Sequence, residues 1–301
     1  MIDFFYILVK NRGDIVYDIF ATSHKDLINK YLNGDDIKHK KYFCAMFSPK
    51  DISRCDIINN YQFIISETYV PDWYNDKMND LVLDKLKKFV SALIIRKRKP
   101  LLLHEGAILT GNAIVDEVKH SIIFGMYDKS KIKNLDKNSE IYLMHDESVV
   151  ENMYDSTKVL EMNGLSRIDN MFNYSRVIKM CGRTTINLMN DHSRITSLKG
   201  DANIAEMNDM SKAEILKHMS RVGEMRGYST IEEMWDWTVV DRMYDNSRIN
   251  SMNHASMVRY MYGNSTVEEM FGKSTIENLN ENSLVRKLYD TAQILMKNLN
   301  E

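Results

Sequence analysis

Residues Met243–Leu279 read MYDNSRINSMNHASMVRYMYGNSTVEEMFGKSTIENL, and a Met or Leu returns in them every nine residues, at Met243, Met252, Met261, Met270 and Leu279. The same step runs back without insertion to Met126 and forward to Leu288, so nineteen consecutive anchors are Met or Leu. Three residues before each anchor stands Ile or Val, from Ile123 to Val285, with Ala213 the one exception. Five residues before stands Ser or Thr, with Ala202 the one exception.

A continuous helix cannot use this pattern. At about 3.6 residues per turn, nine residues rotate a helix by about 900°, which puts successive anchors on opposite sides. Gly, Asn and Asp follow the anchors in "YDNS", "YGNS" and "FGKS", where they favour tight turns. The Ser-x-Val triplet that comes next has the alternation and β-branching of a short strand. Each unit is therefore a turn plus a strand.

One such unit cannot fold alone. Burying one Met and one Val contributes roughly 3–6 kcal/mol, while ordering nine backbones costs on the order of 9–18 kcal/mol. Stacking closes the gap. Gly164, Gly182 and Gly200 share one turn position at steps of eighteen, and the alternate units carry Asp155, Asn173, Asp191 and Asp209. This second period favours two units per coil, with three as the alternative. The fold expected is mainly β: a β-solenoid, a parallel β-helix of nine-residue units, about 45 Å long at ~4.8 Å per coil. Met suits the irregular slot inside a narrow coil, so the Met stripe reads as core and not as a metal or haem site. The buried Ser and Thr are expected to pass hydrogen bonds along the stack or to close turns locally.

Residues 1–103 do not repeat and read as a small α/β domain. "FFYILV" and "IVYDIF" are strand-like, "SHKDLINKYLNG" is a helix capped by Ser23 and stopped by Gly34, and "YFCAMF" and "YQFIIS" add strands. Val82, Leu86, Phe89 and Leu93 mark a longer helix, with Arg96, Lys97, Arg98 and Lys99 at its carboxyl end, where cations complement the macrodipole. Residues 104–125 are irregular lead-in units, in which Ala113, Val115 and Val118 fit the pattern one residue out of phase. Residues 126–301 form the array. The amino-terminal domain is expected to cap the first coil, and the polar tail "MKNLNE" to blunt the far end.

Composition narrows the function classes. A formal charge of -2, with 26 acidic and 22 basic residues in 126–301, gives neither a broad nucleic-acid field nor a DNA-like face. Cys44, Cys55 and Cys181 are odd in number and fit no disulfide framework or zinc site, which suggests a reducing compartment. The first residues lack a signal-peptide pattern, and no apolar run approaches the roughly 18 residues of a membrane span. A cytoplasmic protein is expected.

No catalytic, cofactor or metal residue is nominated. "HEG" at His104 lacks the second His of a zinc helix, and no phosphate loop or nucleophile elbow occurs. The turns lack the calcium-binding G-G-x-G-x-D pattern, so Asp128, Asp155 and Asp245 read as solvated turn formers. One irregularity nominates a surface. The third residue after the anchor is usually polar, but becomes Met210, Met219, Tyr228 and Trp237 over four consecutive units, with Trp235 beside the last. Exposed aromatics and Met of this kind either form a partner-binding patch or shield a locally altered coil, here the one in which Ala213 replaces the usual Ile.

With these pieces placed, the chain resembles a group of bacterial and phage repeat proteins. In that group a small amino-terminal domain with a Pro-x-Trp element, here Pro71, Asp72 and Trp73, precedes a helix and long arrays of units such as "GNSTVEEM". The resemblance implies a β-solenoid and a phage or mobile-element setting, hence a host cytoplasm, and it implies no reaction. The function expected is a non-enzymatic scaffold whose rod engages a protein partner. The alternatives are a self-assembling virion or surface protein, homo-oligomeric through solenoid ends or edges, and a carbohydrate-binding or carbohydrate-active β-helix. Nucleic acid is a weakly supported partner and a membrane is none. Val240→Asp should destabilise the array severely, and Glu268→Lys should be nearly neutral.

Overall fold

The computed structural model describes residues 5–68 and 70–298. The amino-terminal domain comprises β1 (Phe5–Lys10), β2 (Ile15–Tyr17), α1 (His24–Tyr31), α2 (Gly34–Lys38), β3 (Tyr42–Pro49), β4 (Tyr61–Ile65) and α3 (Asp76–Leu93). Its antiparallel sheet has the order β2-β1-β3-β4. Ser23 caps α1 by accepting the Asp26 N–H at 3.3 Å. Gly34 does not stop that helix: α1 ends at Tyr31, Asn33 caps a new one, and Gly34 is its first residue. Asn75 caps α3, which buries Val82, Leu86, Phe89 and Val90 on one face. Trp73 of the Pro-x-Trp element packs in this core, 5.8 Å from the Phe43 ring.

The basic cluster lies elsewhere than expected. The helix stops at Leu93, and Ile94–Ile95 already pairs in the solenoid with Ile108 and Leu109. Arg96, Lys97 and Arg98 then form the first solenoid turn, and Lys99 begins the next strand. Arg98 grips Asp116 at 2.9 Å and does not face a helix terminus. The first two solenoid strands, Ile94–Ile95 and Lys99–Leu103, thus fall before residue 104.

From Ile94 onward the chain alternates between two parallel sheets of twelve strands each. Sheet one holds Ile94–Ile95 through Leu284–Leu288, and sheet two holds Lys99–Leu103 through Gln293–Asn298. Turns from sheet one to sheet two form the outgoing edge, and turns back form the return edge. Ile132 pairs with Val150, and Ile141 with Val159. Partners eighteen residues apart mean two units per coil and exclude three. Twelve strands at ~4.8 Å spacing make a rod of roughly 53 Å, longer than expected because the lead-in units also form coils. The phase slip there has a simple origin. The turns at His104 and His120 drop one residue, so Val115 and Val118 pair with Ile132 and Leu135.

Inside the rod every Met, Leu, Ile and Val of the two columns from Ile123 to Met270 is fully buried. The Ser and Thr column is buried too, but it makes no hydrogen-bond ladder. Thr157 closes its own turn by donating to Tyr154 O at 2.8 Å, whereas Ser130, Ser148, Ser166 and most others have no partner within bonding distance. Equivalent hydroxyls sit one coil apart, at ~4.8 Å, too far for an O–H···O bond of about 2.8 Å. Ala202 occupies the same column, equally buried. The position demands a small side chain where the chain re-enters the coil.

The turns are knit from coil to coil. The second residue after each anchor adopts the left-handed conformation, as at Asp128 (φ 55°), Asp245 (φ 55°) and Gly200 (φ 74°). Such an Asp accepts the N–H of its counterpart on the preceding coil: Asp146 from Asp128 at 3.0 Å, Asp245 from Gly227 at 3.0 Å, Asp290 from Gly272 at 3.1 Å. Asp128 accepts from Gly111 N–H at 2.8 Å, and Asp155 meets the Lys137 ammonium at 2.9 Å. Asp128, Asp155 and Asp245 are therefore structural ties and not merely solvated turn formers.

The amino-terminal domain packs on the outer flank of sheet one. Phe124 and Leu143 point outward there, yet are buried, as is Ile108. The Phe124 ring lies 4.8 Å from Phe5 and 5.6 Å from Tyr142. The Tyr127 hydroxyl accepts the Cys55 N–H at 3.1 Å, contacts its Sγ at 2.7 Å and donates to Ile52 O at 3.1 Å. Burial pushes the Cys55 thiol up to about 12, so it stays protonated in this junction. At the far end of the rod, Met296, Lys297 and Asn298 of the tail belong to the last strand, with Lys297 paired beside Leu279. The rest of "MKNLNE" lies outside the described residues.

Candidate functional site

The third residue after each anchor leaves the turn pointing away from the rod, so an apolar residue there has no inner slot to fill. Met210, Met219, Tyr228 and Trp237 are accordingly 56 %, 62 %, 63 % and 70 % exposed. Their backbones are nevertheless fixed. Tyr228 N–H donates to Asp209 O at 2.7 Å and Trp237 N–H to His218 O at 3.0 Å, each one coil back.

The five candidate residues do not form one patch. Met210 and Tyr228 lie on the return edge and Met219 and Trp237 on the outgoing edge, about 16 Å apart across a five-residue strand. Trp235 is half-buried: its indole N–H donates to Glu233 at 2.8 Å, and Lys217 lies 5.8 Å from its ring. It belongs to the turn packing. On the return edge the sequence reading missed two members. Tyr174 and His192 precede Met210 in the same column, their rings parallel and 5.1 Å apart. Their signal was the same third position after the anchor, two units earlier for His192 and four for Tyr174.

The outgoing edge borders a recess of about 650 Å³ on the outer face of sheet two, where Met219 forms part of the wall and Ala205 and Gly223 the floor. In this outward column other coils carry Lys133, Glu151, Asp169 and Asn187 before it, and Asp241 and Arg259 after it. A Cβ at Gly223 would lie 2.5 Å from the Ala205 carbonyl oxygen, so no larger residue fits without moving the backbone. The walls are braced by ion pairs. Asp241 is held by Arg221 and, at 3.0 Å, by Arg259; Glu224 is held by Arg226 and, at 3.3 Å, by Arg242. Asp201, Asn203 and Glu206 complete the lining. Beside Trp237, the His218 backbone N–H and then the His254 ring hold the Asp236 carboxyl below its ordinary range.

Two further recesses are smaller. One of about 330 Å³ lies next to the parallel rings of Tyr244 and Tyr262. One of about 470 Å³ opens between Tyr17, Phe20 and Phe89 of the amino-terminal domain and His104 of the first coils. Among the described residues no group of three or more His, Cys, Asp or Glu is placed to hold a metal ion, and no helix is long and apolar enough to cross a membrane. No protein-family model matches the chain, and neither does any curated protein or solved structure.

Proposed function

We propose that the chain is a non-enzymatic binding scaffold that engages a protein partner along the edges of its solenoid. The observation that carries this reading is the exposure of Met210, Met219, Tyr228 and Trp237 on turns whose backbone is bonded into the stack. Rigid, exposed aromatic and thioether side chains bind with little loss of conformational entropy and dominate protein interfaces. The unpaired Cys44, Cys55 and Cys181 support a reducing compartment, the cytoplasm. A partner in a host cell is in keeping with the resemblance to bacterial and phage repeat proteins. Affinity capture from host lysate, run beside Met219→Ser with Trp237→Ser and Met210→Ser with Tyr228→Ser, tests the scaffold. The expected result is one protein retained by the native chain and lost from one of the two variants. Retention by both would count against the edges.

A second reading is self-assembly. Leu284, Leu288 and Leu295 in the last described coil are exposed, and its two strands pair on only one side among the described residues. Such edges template pairing with another chain. Light scattering that rises with concentration and falls in Leu288→Lys favours this reading; a concentration-independent monomer favours the first.

A further inference from the structure

Three glycines belong to strands of the solenoid: Gly106, which begins one, and Gly125 and Gly223, which lie inside theirs. Two of them mark the place where a folded body sits on the rod. A Cβ at Gly106 would come within 2.9 Å of Phe124 and 3.1 Å of Ile19 of the amino-terminal domain, and one at Gly125 within 2.5 Å of the Tyr127 ring that reaches Cys55. A strand-interior glycine commonly marks close approach of another group. The third, Gly223, floors the recess on sheet two, and nothing among the described residues covers it.

The lining defines what fits. It holds four carboxylates and two guanidinium groups. Both guanidinium groups are committed to Asp241 and Glu224. The Asp201 carboxylate, in the turn before the strand Asn203–Met207, and the Glu206 carboxylate, near that strand's end, make no ion pair or hydrogen bond among the described residues, although Glu206 lies within electrostatic reach of Arg226. Asp201, Met219 and Trp237 occupy one column of the outgoing edge on successive coils. An apolar strip thus lies beside two uncommitted negative charges.

Resting on the scaffold reading, we propose that this recess takes a basic, extended segment of the protein partner. An apolar side chain seats against Met219 and Trp237, and separate lysine or arginine side chains meet Asp201 and Glu206, which lie about a strand's length apart. Nucleic acid is disfavoured, since its phosphates would meet Asp201 and Glu206, the two lining carboxylates that stand outside the ion pairs.

The test is fluorescence anisotropy on the intact chain, with labelled peptides of alternating leucine and lysine, the matched leucine and glutamate peptides, and an oligothymidylate. The basic peptide should bind about tenfold or more tighter than the acidic one, and lose about tenfold in Asp201→Asn with Glu206→Gln and in Ala205→Arg, whose side chain fills the recess. All variants should melt as the native chain does, because these side chains point outward. Equal binding of acidic peptide or oligothymidylate overturns the proposal, as does failure of the basic peptide to bind. Binding that needs Trp237 but ignores Asp201 and Glu206 overturns the proposal and leaves the scaffold standing. If host-lysate capture also ignores Trp237 and Tyr228, both fall.

Discussion

Two stretches of the outer surface invite comparison. On sheet one, Phe124, Tyr142 and Leu143 face outward beside Gly106 and Gly125, and the amino-terminal domain covers them. On sheet two, Ala205 and Gly223 lie in a recess beside Met219 and Trp237, and nothing among the described residues covers them. Behind both, the inner columns are the same. The difference shows that the inner residues define the rod alone, while the outward residues decide what rests on it, coil by coil.

The largest expected effect removes what the two stretches share. Val240 is fully buried beneath the recess, and Val240→Asp should cost roughly 4 kcal/mol or more by burying an unpaired charge. A far-ultraviolet thermal melt checks it. Tyr127→Phe should strike the covered stretch only. It deletes the hydroxyl bonded to Cys55 and Ile52, at a cost of about 1–3 kcal/mol. Amide exchange should quicken in residues 51–61 while the array stays protected, and uniform quickening would contradict the division.

Next comes an ordinary outward position. Glu268 is not the neutral surface residue expected from sequence, because Arg248 and Arg286 flank it at 3.3 and 3.1 Å. Glu268→Lys stacks three cations and should cost roughly 1 kcal/mol, read from the urea midpoint and relieved by added salt. The smallest effect concerns the outgoing edge beside Trp237. The depressed Asp236 carboxyl contributes stability above its unfolded value near pH 4, which is lost as pH falls through the folded one. Asp236→Asn should flatten the drop in melting temperature between about pH 4 and pH 2.

Which parts were legible in the sequence follows from the range of the forces involved. The inner columns repeat every nine residues because stacking imposes one environment on each unit, so Met126 to Leu279 could be placed by counting. The two-unit coil followed from Gly164, Gly182 and Gly200. The seat of the amino-terminal domain was hidden, since Phe124 and Leu143 look like extra core residues until the fold turns them outward. Arg96–Lys99 were misplaced because pairing of Ile94–Ile95 across the sheet, a non-local effect, ends the helix early. In the candidate site, Met210, Met219, Tyr228 and Trp237 stood out against a polar column. Gly223 and Ala205 did not, because a small residue in a variable column carries no signal until its neighbours are known.

The eighteen-residue register makes the rod a ruler graduated at ~4.8 Å. Excising eighteen residues between Met126 and Met207 would bring Trp237 nearer the amino-terminal domain by one graduation and leave it on its own edge. Excising nine would satisfy every inner slot equally well, yet carry all downstream outward side chains to the opposite flank. Length can therefore vary in whole graduations without scrambling what the surface displays, and half graduations invert the display.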